Sequence, residues 1–267
     1  MGTNEWLEAA EYARDLVTMG AEVALSWRGR ISVTEKDDGA GPVTEADRDL
    51  DRRLTGALRD RFPADLVLSE EADAPAECAD GSRRLWCVDP LDGTREYIEG
   101  LPEFAVQVGL LEGGEPVAGA FSLPDLAIVF WGARGAGAFV REGGRDRPVN
   151  LRGGTALDDA VLIHSGRFRN GLPGPFGATN LFRETRNAGG AGYKVAQVLL
   201  GKADCYVDPR SGMHWWDSAG PAAVFAAAGG WVADANKAPL RYDNSKHEHT
   251  TGVLFAPETL RPAIESM

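Results

Sequence analysis

Cysteine is scarce in this chain. Cys78, Cys87 and Cys205 stand far apart and form no C-x-x-C pair. An odd, scattered set argues against a disulfide framework or a clustered zinc site and predicts reduced thiols. Long apolar runs are missing too: no stretch reaches the roughly 18 consecutive residues that a membrane helix needs. The segment Met1-Gly2-Thr3-Asn4-Glu5-Trp6 lacks the basic-then-apolar order of a signal peptide, and lacks the Ser or Thr at position 6 of a myristoylation signal. The expectation is a cytoplasmic protein. Positive charge is in deficit, with 28 Lys and Arg against 40 Asp and Glu, a net charge of −12. Such a chain repels polyanions, so neither a nucleic-acid polymer nor an anionic membrane is an expected partner. The surplus acid serves solubility unless carboxylates converge, and converging carboxylates need cations.

What is present suits a globular protein. The 267 residues suffice for one large domain or two intimately packed halves. Asn4 is placed to cap a helix running to about Trp27, with Leu7, Ala10, Ala13, Val17, Ala21 and Ala24 at helical spacing. Ser32 to Pro42 reads as a polar loop. Thr44 starts a second helix that aligns Leu50, Leu54 and Leu58, and Pro63 follows its end. Strands are predicted at 85–88, 104–111, 116–123, 127–131 and 138–140, with Glu112-Gly113-Gly114-Glu115 as a hairpin turn. The Gly- and Arg-rich stretch from Arg141 to Thr155 is the best candidate boundary. Beyond it, strands at 160–164, 205–207, 231–233 and 252–256 alternate with helices at 191–200 and 216–228. The reading is an α+β first half, residues 1–150, and an α/β second half, residues 151–267.

Four acidic segments carry the chemistry. In Trp86-Cys87-Val88-Asp89-Pro90-Leu91-Asp92-Gly93-Thr94, a buried strand delivers Asp89 to its end, Pro90 restricts the backbone and Gly93 permits a sharp turn. Two carboxylates three residues apart, with a carbonyl between them, suit a hard cation. Ser69-Glu70-Glu71 follows the apolar run Leu66-Val67-Leu68, so it too lies at a strand end. Thr44-Glu45-Ala46-Asp47 opens a helix, where the acid also fits an ordinary capping arrangement. Trp216-Asp217-Ser218-Ala219 opens a small-residue helix, where Asp217 also fits an ordinary cap. Each segment alone is explained as well by local structure as by function; all of them in this order are not.

In that order they resemble the signatures of the inositol monophosphatase superfamily, over roughly residues 36 to 256. The resemblance implies the layered α-β-α-β-α sandwich of the inositol monophosphatase/fructose-1,6-bisphosphatase type. It also implies a lithium-sensitive, Mg²⁺-dependent phosphomonoesterase acting on a small phosphorylated metabolite, as a monomer or homodimer. Carried over by position, Glu70, Asp89 and the Leu91 carbonyl hold one Mg²⁺, and Asp89, Asp92 and Asp217 hold a second. Glu70 helps hold a weaker third through water, making roughly two to three ions per site. Thr94, linked to Asp47, orients and helps deprotonate the attacking water, and the Gly93 and Thr94 amides hold the phosphate. Lys36 matches a basic residue of a mobile metal-site loop, and Lys194 matches a second-half lysine near the substrate.

The substrate is less legible. Arg95-Glu96-Tyr97-Ile98 and Pro102-Glu103-Phe104 resemble the CysQ-type 3′(2′),5′-bisphosphate nucleotidases, which act on 3′-phosphoadenosine 5′-phosphate (PAP). The segment from Ala188 to Lys194 departs from that branch, and Gly212 to Asp217 is closer to inositol phosphatases. Asp-Gly-Thr-Arg also occurs in histidinol-phosphate phosphatases. Inositol 1-phosphate, histidinol phosphate and other cyclitol or sugar phosphates therefore stay open. So does a divalent-cation-binding regulatory protein of the same fold, against which the full ligand set and Thr94 argue. Gly132-Ala133-Arg134-Gly135-Ala136-Gly137 lacks the Lys-Ser/Thr of a P-loop and reads as a hairpin turn. His247-Glu248-His249 reads as surface histidines in a polar loop, His164-Ser165 has no triad context, and Trp215-Trp216 reads as packing at a helix start.

Overall fold

A computed structural model describes residues 2–35, 41–72, 83–151, 153, 156–165, 172, 174–177 and 181–267. Helix α1 (Thr3–Trp27) buries Ala10, Ala13, Val17 and Ala24, the predicted stripe, with Leu7 and Ala21 at its half-buried margin. Its start corrects the expected cap. Gly2 is the N-cap, with an extended backbone and no side-chain hydrogen bond, so Asn4 falls inside the first turn. Strands β1 (Val33–Glu35) and β2 (Pro42–Thr44) pair antiparallel where the sequence reads as loop. Runs of three residues are too short to show an alternating pattern. Lys36 lies outside the described residues. Helix α2 (Glu45–Arg61) has Thr44 as its N-cap, and Leu50, Leu54 and Leu58 are fully buried.

The first sheet has seven strands in chain order: β3 (Leu66–Ser69), β4 (Leu85–Asp92), β5 (Ala105–Glu112), β6 (Glu115–Leu123), β7 (Ile128–Ala133), β8 (Gly137–Glu142) and β9 (Arg145–Pro148). Only β3 and β4 are parallel; the rest form an antiparallel meander. Between β5 and β6, Gly113 and Gly114 both take positive φ, the backbone that a two-residue hairpin turn requires. The 132–137 glycines turn β7 into β8, as expected. Strand β9 falls inside the stretch read as a boundary. All four of its residues are exposed, so no apolar face marks it.

A short helix, α3 (Thr94–Ile98), leaves the end of β4. The second sheet orders β10 (Val161–Ser165), β11 (Glu184–Ala188), β12 (Cys205–Asp208), β14 (Gly230–Ala233) and β16 (Val253–Pro257) as β11-β10-β12-β16-β14. A two-stranded ribbon pairs β13 (Met213–His214) with β15 (Glu248–His249). Helices α4 (Ala191–Leu199) and α5 (Trp215–Ala227) lie between the sheets, and α6 (Arg261–Glu265) follows β16.

Three apolar clusters define the layers. One packs α1 and α2 on the first sheet through Val17, Leu50, Trp86 and Val108. The central one joins both sheets and α4 and α5 through Leu85, Phe121, Val195, Trp215, Phe225 and Phe255. The third covers the far face of the second sheet with Leu260 and Ile264. The layering is thus α-β-α-β-α, as expected.

Candidate active site

Three carboxylates meet where β4 ends against α5. Ligand oxygens of Asp89, Asp92 and Asp217 lie within 4.8 Å of one another. Strand β4 is buried along its whole length, which carries Asp89 and Asp92 to the interface between the sheets. Gly93 then reverses the chain with φ of 88°. A Cβ there would sit 2.9 Å from the Glu103 carbonyl, so the turn demands glycine on both counts. Asp217 comes from the first turn of α5, where its Oδ2 accepts the His214 N–H at 2.8 Å. Asp217 is thus both part of the α5 capping box and a neighbour of the β4 acids.

Each acid is held by donors. Asp89 Oδ1 accepts the Leu91 N–H at 3.0 Å. Asp92 faces the N-terminus of α4, its two oxygens accepting Ala191 N–H at 2.8 Å and Gly192 N–H at 2.7 Å. Glu70 follows β3, its N–H donating to Val88 O at 3.3 Å, and its charge acts on Asp47, Asp89 and Asp217.

The electrostatics show unrelieved crowding. Burial first, then Glu70, Asp92 and Asp217, push the Asp89 carboxyl well above the usual range. Burial, opposed chiefly by Lys194, moves Asp92 up to about 6. Burial with Glu70 and Asp92 moves Asp217 up to about 8. Carboxylates that resist ionising together are relieved by a cation, and an all-oxygen donor set selects a hard one. The residues fit a divalent metal ion.

Asp47 joins a second unit to this cluster. Its Oδ2 accepts the Thr44 N–H at 2.8 Å and the Thr44 hydroxyl at 2.6 Å, completing the capping box. Its Oδ1 faces the Thr94 hydroxyl at 3.3 Å. Thr94 Oγ1 also lies 3.0 Å from the Leu91 carbonyl, so one proton has two acceptors. Thr94 Oγ1 therefore ties the α2 cap to the β4 turn.

Lys194 is buried, with its Nζ donating to the Gly189 carbonyl and lying 5.3 Å from the centre of the Tyr206 ring. Burial depresses its ammonium, against the pull of Asp92 and Asp208. Tyr97 is also buried and donates to Ala24 O at 2.7 Å, so it secures α3 to α1. His249 corrects the surface expectation. Pairing of β15 with β13 carries it beneath α5, where it is 3% exposed and Nε2 lies 2.8 Å from Ser218 Oγ. Trp215 is fully buried, as read, and Trp216 stacks on His214 at 4.4 Å between centroids.

The sequence reading passed over Gln107. Its Nε2 donates to Asp89 Oδ2 and to the Asp217 backbone carbonyl, both at 3.2 Å. The available signal was a lone polar residue within the apolar run from Phe104 to Leu111.

Comparison with known proteins bears on the chain as a whole. The model of the inositol monophosphatase family matches residues 5–261. The rat protein named 3′(2′),5′-bisphosphate nucleotidase 1 is 28% identical over 265 residues, covering 85% of this chain and 83% of the relative. Inositol-1-monophosphatase SuhB of Mycobacterium tuberculosis H37Rv is 30% identical over 232 residues, covering 84% and 79%. Among solved structures, the Thermotoga maritima IMPase superposes with a TM-score of 0.79 at 23% identity, covering 97% of this chain and 96% of that one.

Proposed function

The chain belongs to the inositol monophosphatase family, and from that premise we propose that it is a Mg²⁺-dependent phosphomonoesterase of small phosphate esters. The observation that carries this reading is the convergence of Asp89, Asp92 and Asp217 beside the Asp47–Thr94 pair. Asp89, Asp92, Asp217, Glu70 and the Leu91 carbonyl are the residues that would hold roughly two to three Mg²⁺ ions. When bound, the metal supplies charge neutralisation for the phosphate and activation of water.

The chain's own groups do the rest. Thr94 orients the attacking water and takes part of its proton, while Asp47 Oδ1 accepts from Thr94 in turn. The reach of 3.3 Å leaves that second bond to tighten with substrate present. The Gly93 and Thr94 amides hold the phosphate at the turn leaving β4. Asp47, held by two bonds from Thr44, and the amide-clamped Asp92 are set before substrate arrives, which is what pre-organised catalysis requires.

For the substrate we propose PAP, on the Arg95-to-Ile98 wording together with the nucleotidase relative. The second reading is inositol 1-phosphate or a related cyclitol phosphate, favoured by the segment from Gly212 to Asp217 and the mycobacterial relative. Phosphate release from PAP, inositol 1-phosphate and histidinol phosphate, each with Mg²⁺ and with excess EDTA, decides both points. Activity that survives EDTA rejects the metal mechanism. Preference for a substrate other than PAP rejects the first assignment alone.

A further inference from the structure

Gln107 sits on β5, the strand next to β4, and is fully buried. Its amide lies between two acceptors that belong to different elements: the Asp89 carboxylate on β4 and the Asp217 carbonyl in the first turn of α5. The two N–H bonds of a primary amide match those two acceptors, and turning the amide over would aim its oxygen at a carboxylate. The orientation therefore follows from the surroundings. It has a consequence on the other side, where Oε1 is buried without a hydrogen-bond partner. A leucine or methionine would fill this space without leaving an acceptor unpaired, so packing alone does not explain a glutamine here.

The Gln107 amide bridges the two elements that must stay in register for Asp89 and Asp217 to converge. Strand β4 and helix α5 are far apart in sequence, and each carboxylate has other local partners. Gln107 touches both Asp89 and the Asp217 backbone directly. We infer that Gln107 is a positioning residue for the divalent-metal site, acting by holding the Asp89 carboxylate and the start of α5 at a fixed separation. This rests on the metal-dependent reading above. It assigns Gln107 no contact with substrate or with the ion.

The test is calorimetric titration of MgCl₂ into chelator-treated wild type and Gln107→Met, with circular dichroism and metal-free melting alongside. Methionine keeps the length and removes both donors. The expected result is an unchanged fold, a metal-free melting temperature at or above that of wild type, and Mg²⁺ affinity weakened by about tenfold to a hundredfold, the usual loss when a ligand's supporting partner is removed. Turnover should recover substantially at saturating Mg²⁺. Equal Mg²⁺ affinity in both proteins overturns the assignment while leaving the proposed function intact. Wild type that binds no Mg²⁺ overturns the proposed function and this inference with it. Gln107→Leu is the second variant. If both variants fail to fold, or if affinity falls only in step with metal-free stability, Gln107 is a core residue and the inference is overturned.

Discussion

Asp47 divides its two oxygens between Thr44 and Thr94. Sequence reasoning set helix capping against catalysis, yet Oδ2 caps α2 through Thr44 while Oδ1 faces Thr94. The division makes Asp47→Asn informative. The asparagine oxygen can keep the cap, so the stability change should be about 1 kcal/mol or less. The amide nitrogen then faces Thr94 and donates where Asp47 accepted, so turnover should fall strongly. Thr94→Ala should show a similar defect, and the double variant should be little worse than either single one, because in the proposed mechanism the two residues serve one proton transfer. Steady-state kinetics beside thermal melts reads this directly, and multiplicative losses at unchanged Mg²⁺ affinity would break the proposed unit. A second expectation concerns Asp89, which is fully buried and feels Glu70, Asp92 and Asp217 together. Asp89→Asn should lower kcat at least about a hundredfold, roughly 2.7 kcal/mol of barrier, and more than Asp217→Asn does. A folded Asp89→Asn protein with near-normal kcat would sink that assignment.

Helix α5 has to sit close to the first sheet for Asp217 to reach Asp89, and missing side chains permit it. A Cβ on Gly220 would lie 2.9 Å from the Val108 carbonyl, and one on Gly109 would lie 2.4 Å from the Gly220 nitrogen. Both obstacles are backbone, which cannot swing aside as a side chain does. Gly220→Ala should therefore lift α5, at a cost of about 1–3 kcal/mol in stability. It should also weaken Mg²⁺ binding, since Asp217 moves with the helix. Denaturant melts and metal titrations on the same protein would show both effects, and full stability would contradict the close seating. Elements with a marked apolar face were readable in advance: α1, α2, the β5–β6 hairpin and the wholly buried β4. Those that were missed have little such pattern. Strand β9 and most of β11 are exposed, and β13 and β15 have two residues each. The acidic motifs were legible because they are contiguous at element ends. Gln107 was not, because its role depends on a pairing between β4 and β5 and on the seat of α5, which no local stretch encodes.

At the scale of the whole molecule, acidic residues are abundant on the chain and a few of them converge in its interior. The net charge of −12 is tolerable at a surface, but Asp89, Asp92 and Asp217 stand between two sheets. Metal-free protein must then hold protons to stay folded comfortably, and its stability should depend on pH in a defined direction. Asp217 rises to about 8 in the folded state, far above an unfolded carboxylate, so folded protein binds the proton more tightly. That contribution is fully present below the unfolded value and is lost as pH rises through about 8. Asp92, at about 6, follows the same sign over a lower window. The buried His249 works oppositely: burial first, then His214, holds it down to about 4, so its contribution is complete above the ordinary histidine value and lost as pH falls toward 4. Between about pH 6.5 and 8 the histidine is therefore settled and the raised acids set the sign: Asp217 contributes a slope approaching about 1.4 kcal/mol per pH unit for its one proton, and Asp89, pushed well above the usual carboxylate range, adds in the same direction. Thermal melts in EDTA should thus fall across that window. In saturating Mg²⁺ they should flatten or rise, because metal binding favours the deprotonated acids increasingly with pH. Asp217→Asn should make the slope in EDTA shallower. A metal-free melting temperature that rises with pH would mean that the three acids do not share one buried site.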